Sequence, residues 1–269
     1  MAINSLGNSL YNTNFLFGTN NNQKQDSISK LWSAYGSYQS NAQTSLAGLT
    51  EINTNLKSVL ASYEEAKSTF NSEFSETMSD LSASAKKVKE YNFNVEKEGA
   101  ITTVENTDEN GKVTTSTKYS DKLQAALDSV KGLVDDYNSA VKFFGDNSSV
   151  SKRVEMMSKT FGDTTYRASL YESIGLTVNS NGSFTINESK LANAIVNDPD
   201  KFSSILGKDG LAGKVEDHVS FANSQQEKLF PTAKAMLGDQ LDTAAIYTGK
   251  AFGNMAAYSN MGNLLNMMF

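Results

Sequence analysis

Between Asp26 and Asn92 the chain has no proline, and its apolar residues recur almost entirely at steps of three and four. Ile28, Leu31, Leu46, Leu49, Ile52 and Leu56 mark the first half of this stripe, and Val59, Tyr63, Phe70, Phe74, Met78, Leu81 and Val88 the second. That period is helical, and Asp26 is a suitable N-cap. With only Gly36 and Gly48 as points of weakness, the segment predicts one outgoing helix over 26–92, on the order of 100 Å long at about 1.5 Å per residue. A break near either glycine would divide it. A stripe this narrow and long is the seam of a coiled coil, and its partner must be another long helix. Trp32 and the other aromatic and Met positions at this spacing read as seam and not as a cofactor box.

The period changes after residue 92. The run ITTVENTDENGKVTTSTKY is rich in Thr and Val and carries Asn110-Gly111 between two extended stretches, which predicts a small hairpin tip over 93–118. Both faces of it are polar, so its register is weakly specified. Helical spacing returns at Leu123, Leu127, Val130, Val134, Tyr137, Val141 and Phe144, with Ser120 or Asp121 as cap. The chain therefore goes out, turns and comes back. A shorter helix follows through Val154, Met157 and Phe161, then a polar link.

The stretch GLTVNSNGSFTINESKL, residues 175–191, admits two readings. Counted as a calcium loop with Gly182 at its sixth position, it places Asn179, Asn181 and Glu188 near ligand positions, but Thr177 stands where the first acidic ligand belongs. Counted as a hairpin, it puts Leu176, Val178, Phe184 and Ile186 on one face only if the loop has an odd number of residues. A loop Ser180-Asn181-Gly182 with Gly182 left-handed satisfies that register and pairs Val178 with Phe184. Asn187 then caps a helix through Leu191 and Ile195, and Asp198-Pro199 starts another as cap and first-turn proline. The hairpin accounts for more of the residues than the metal loop. Residues 211–229 and the region from Thr232 onward read as further helices, the last carrying Leu241, Phe252, Met255, Leu264, Leu265, Met267, Met268 and Phe269.

Composition narrows the chemistry. Apolar residues make up 39% of the chain, below the roughly 45–50% of compact domains, and Ser, Thr and Asn fill the difference; elongation or burial against neighbours follows. A net charge of -6 gives no field for phosphate, so nucleic acid is not expected as a partner. The apolar runs are too short for membrane insertion. The first 25 residues are Asn-rich and carry no basic residue before Lys24, which predicts a flexible N-terminal tail and no cleavable signal peptide. There is no cysteine and a single histidine, His218, so disulfides, thiolate sites and two-histidine metal sites within one chain are excluded. Carboxylate pairs such as Asp135-Asp136 diverge on a helix, and no phosphate-binding glycine motif occurs. These features predict a non-enzymatic protein without a cofactor.

The ordered series Val134-Asp135-Asp136-Tyr137-Asn138, Ile174-Gly175-Leu176-Thr177, Asn181-Gly182-Ser183-Phe184, Asn187-Glu188-Ser189-Lys190-Leu191 and Asp198-Pro199 with Phe202 and Ile205-Leu206 resembles the C-terminal region of the flagellar hook-associated protein 2 (filament cap) family. Asn187 stands where that family usually has an acidic residue, and the family's large inserted domains are reduced here to the 93–118 hairpin. The resemblance implies an extracellular structural protein of the bacterial flagellum, exported unfolded and self-assembling as a homo-oligomer through terminal helices. It also implies flagellar axial partners such as flagellin or hook-junction proteins, and an export chaperone. Within this picture 1–25 is a tail, 26–92 the outgoing helix, 93–118 the tip, 119–210 the returning helices with the second hairpin, and 211–269 the C-terminal helical assembly region. A flagellin-like filament subunit and an adhesin on a helical stalk are the alternatives. The expected fold class is mainly α, an elongated coiled-coil or helical-bundle stem with two small β-hairpins.

Overall fold

A computed structural model of the chain describes residues 49–107 and 113–237, with side chains over 58–105 and 113–236. Over these residues the fold is mainly helical, with two antiparallel strand pairs. The predicted seam positions Ile28, Leu31 and Leu46, the tail 1–25, the turn Asn110-Gly111 and the assembly residues Leu241, Phe252, Met255, Leu264, Leu265, Met267, Met268 and Phe269 lie outside the described residues. Leu49, Ile52 and Leu56 lie in a described helix, but their side chains do not.

Helix α1 spans Leu49–Glu90, with Lys87 and Lys89 in its last turn, where cations suit the negative end of the helix dipole. Strands β1 (Ile101–Thr107) and β2 (Val113–Tyr119) pair antiparallel, Ile101 opposite Tyr119. Helix α2 (Asp121–Asp146) starts at Ser120, whose hydroxyl accepts from the Leu123 amide, and α3 (Lys152–Phe161) starts the same way at Ser151. The link after α3 is a 3-10 turn (Asp163–Arg167) and α4 (Ala168–Glu172), where the sequence suggested only a polar connection. Then come β3 (Leu176–Val178), β4 (Phe184–Ile186), α5 (Glu188–Asn197), α6 (Pro199–Leu206), α7 (Leu211–Leu229) and α8 (Ala233–Leu237).

The chain divides into two compact units, residues 1–72 with 230–269, and residues 73–229. In the first, the Phe230 ring lies 5.4 Å from Phe70 and 5.7 Å from Tyr63, and the Tyr63 hydroxyl donates to the Pro231 carbonyl at 3.0 Å. Thr232 caps α8 through the Ala235 amide at 3.1 Å. In the second, the α1 stripe is covered by this chain's own helices. Phe74 meets Phe143 and Phe144 of α2, each at 6.3 Å, Gln226 of α7 donates to the Ser75 hydroxyl at 3.1 Å, and Lys89 pairs with Glu216 of α7. Phe74, Met78, Leu81, Ala85 and Val88 are all buried. This part of the seam is satisfied within one chain, so it is not available to a second copy.

Three boundaries differ from the sequence expectation. Helix α1 ends at Glu90, before residue 92. Residues 93–100 are not part of an exposed tip: Phe93, Val95 and Ala100 are buried, and the Phe93 ring lies 4.9 Å from Phe202. Two apolar residues spaced by one, in a segment with no regular structure, leave no periodic mark that separates this anchor from the hairpin beside it. The third is the start of the C-terminal region, since α7 belongs with 73–229 and the division falls after Leu229. The stripe Leu211, Ala212, Val215, Val219 and Ala222 is buried there.

Candidate functional site

Most of the residues that carried the resemblance, from Tyr137-Asn138 to Asn187, meet at one place in the 73–229 unit, around the β3–β4 hairpin, while Phe202 packs on Phe93. The turn is built as the spacing requires. The Gly182 amide donates to the Asn179 carbonyl at 2.9 Å, the Asn179 amide donates to the Ser183 carbonyl at 2.8 Å, and Val178 stands opposite Phe184. Gly182 has φ +88, the left-handed region that favours glycine. It is required twice over, because a Cβ there would lie 2.5 Å from the Gly162 Cα. The Thr164 hydroxyl donates to the Gly182 carbonyl at 2.6 Å and closes this junction. Leu176 and Phe184 are buried while Thr177 and Thr185 are exposed, as a strand period of two demands.

Strands of three residues have little pairing of their own, and α2 supplies the rest. Asn138 Nδ2 donates to the Phe184 carbonyl at 2.9 Å, and the Phe184 amide donates to Asn138 Oδ1 at 2.7 Å. Val178 and Phe184 form a non-hydrogen-bonded pair, so both backbone groups of Phe184 face away from β3. One side-chain amide thus stands in for a third strand. Its neighbour Tyr137 is buried, donates its hydroxyl to the Phe161 carbonyl, and packs its ring 5.3 Å from Phe184. Burial pushes the Tyr137 pKa well up, so the hydroxyl stays a donor. Tyr171 reaches Phe184 from another side at 5.1 Å.

The far side of the hairpin is tied to α5. Asn187 Oδ1 accepts from the Lys190 amide at 3.0 Å, capping the helix. Gly175, at φ +94, would bring a Cβ to 2.7 Å from the Leu191 amide nitrogen, and its carbonyl accepts from the Asn187 amide at 2.8 Å. Glu188, the twelfth position of the calcium-loop count, sets its carboxylate 2.7 Å from Lys131 of α2, which raises the Lys131 pKa. Pro199 occupies the first turn of α6 behind the cap Asp198, whose carboxylate accepts from the Lys201 amide at 3.2 Å.

Beside the hairpin lies an open cleft of about 400 Å³, with Asn138, Lys142, Asp146, Ser158, Asn179 and Asn181 in its wall. Its groups are largely engaged with one another. Lys142 pairs with Asp146, Asn179 Nδ2 donates to the Ser183 hydroxyl at 2.9 Å, and Asn181 Oδ1 accepts from the Ser183 amide at 3.1 Å. His218 is elsewhere, on α7, its ring 5.5 Å from Phe161 and its Nε2 3.7 Å from an Asp163 oxygen. Burial lowers its pKa. Asp136 is half-buried, with its pKa raised by burial, and faces the Asp80 and Ser84 side of α1. Among the described residues no group of three or more His, Cys, Asp or Glu side chains gathers as for a metal, and no helix is long and apolar enough to cross a membrane.

Sequence reasoning found Gly182, Asn187 and Pro199 but missed the functions of Asn138, Gly162 and Gly175. Asn138 and Phe184 are 46 residues apart, and neither turn chemistry nor periodicity links them. The only signal was that Asn138 follows a core tyrosine on the same helix. Neither a family model, nor a curated protein, nor a solved structure matches this chain.

Proposed function

We propose that this chain is an exported structural protein of the bacterial flagellum, cap-like or hook-associated-like, that works by packing and not by turnover. In this reading the long helices form an elongated coiled-coil or bundle stem, and the terminal helical regions make contacts with further copies and with flagellar axial proteins. The observation that carries it is the mutual packing of the residues that resemble the cap family. Tyr137-Asn138, the Gly182 turn and the Asn187 cap lie apart in sequence yet close into one interlocked junction. A set of interlocked polar clamps suits a part that must hold its shape under load.

Immunogold labelling of intact cells tests the reading, comparing filament tip, filament shaft and cell body. Label at the tip is expected, and a purely cytosolic signal would sink the idea. Changing Leu264, Leu265, Met267 and Met268 together to Ser is expected to abolish assembly in light scattering. A second reading, an adhesin, draws support from the β1–β2 ribbon, where Thr102, Thr103, Thr114, Thr115 and Thr117 are exposed. Deleting Gly99–Thr117 separates the two, since adhesion would vanish while assembly survived.

A further inference from the structure

The ribbon β1–β2 is the least covered part of the 73–229 unit. Every residue from Val113 to Lys118 is exposed, Val113 at 56% and Val104 opposite Ser116 at 38%. A two-stranded ribbon alone is marginal in water and needs a third strand or a packing layer. We propose that β2 is a self-pairing edge, at which two copies of this chain join β2 to β2 antiparallel about Ser116 in a four-stranded sheet.

The ladder fixes which backbone groups are on offer. The Ser120 amide donates to the Ala100 carbonyl at 2.9 Å, so hydrogen-bonded pairs recur at Thr102–Lys118, Val104–Ser116 and Asn106–Thr114. The N–H and C=O groups of Val113, Thr115, Thr117 and Tyr119 therefore face away from β1. The register is one-to-one throughout, without a bulge, and the strand has no proline and one charge, Lys118. Those are the devices that normally blunt an edge, and they are nearly absent here.

Charge and side-chain pairing select both the occupant and the register. Centred on Ser116, a two-fold pairing overlaps all seven residues of β2, sets Val113 against Tyr119, Thr114 against Lys118 and Thr115 against Thr117, and leaves no two charges of β2 itself opposite or diagonal to one another. The same operation on β1, centred on Val104, would bring two Glu105 carboxylates to diagonal positions on one face. The β2 edge is the self-complementary one.

The absence of cysteine makes the test clean. In the proposed sheet Ser116 faces its own copy at a non-hydrogen-bonded position, with Cα atoms about 4.5 Å apart, close enough for a disulfide. Full-length Ser116→Cys is expected to form a covalent dimer under mild oxidation at least about tenfold faster than Thr114→Cys, whose partner is a lysine. Adding Thr117→Pro removes an outward amide but no β1–β2 bond, so it should abolish the crosslink while Ser116 and Lys118 amides keep their exchange protection. Equal rates for the two cysteine variants, or a crosslink that persists with Thr117→Pro, would overturn the proposal. It is independent of export: localisation to the filament tip and crosslinking at Ser116 can each fail alone.

Discussion

Asn138 offers the sharpest perturbation in the molecule. Asn138→Ala removes two hydrogen bonds at once, to the Phe184 carbonyl at 2.9 Å and from the Phe184 amide at 2.7 Å. Each such bond contributes about 0.5–1.5 kcal/mol net. Asn138 is half-buried, so water can recover part of the loss, and about 2 kcal/mol is expected for the pair. In a unit the size of 73–229 that corresponds to a fall in Tm of about 4–8 °C, read by circular dichroism. Amide exchange gives the local readout: the Phe184 amide should lose protection, while the Asn179 amide, bonded to Ser183 across the turn, should change less. Asn138→Asp refines the test. One carboxylate oxygen can still accept from the Phe184 amide, but the other is set against the Phe184 carbonyl. That variant should be worse than Ala at neutral pH and should recover as the carboxyl protonates in acid and becomes a donor. Unchanged Phe184 protection in Asn138→Ala, or an Asp variant indifferent to pH, would refute the clamp.

Further outcomes follow from the same geometry. Gly182→Ala must adopt φ +88 and meet Gly162 at 2.5 Å, whereas Gly99→Ala, at φ +73, meets nothing within 4 Å; the unfolding free energy from urea titration should drop by more than about 2 kcal/mol for the first and about 1 kcal/mol for the second. Burial depresses the folded pKa of His218, so the unfolded chain binds the proton first. Stability should therefore fall as pH drops through about 6.5 and continue falling to the lower folded value, and His218→Gln should flatten that dependence between pH 7.5 and 5. Asn187→Ala, which removes the cap on the Lys190 amide, should cost about 1 kcal/mol in the same denaturation.

The local parts of this fold were open to reading because their signals are local. The odd loop in 175–191 follows from alternation and one glycine, and the caps at Ser120, Asn187 and Asp198 from residue type and position. What pairs distant residues left no trace in a single sequence. The Asn138–Phe184 clamp, the Gly162–Gly182 approach and the Lys131–Glu188 pair each join positions that nothing periodic connects. The long stripe was visible, but its covering was not. A seam that packs on α2 and α7 of the same chain has the same spacing as one that packs on another copy, and only the topology tells them apart.

The Asn138 clamp also orders events in time. It closes a loop of 46 residues, and that closure costs about 3 kcal/mol of chain entropy before any bond is returned. Neither three-residue strand can hold the loop shut, so the hairpin acquires its final protection only when α2 is already docked. The clamp is therefore expected to form on the late side of the folding barrier. Its loss should leave the refolding rate nearly unchanged and appear as faster unfolding.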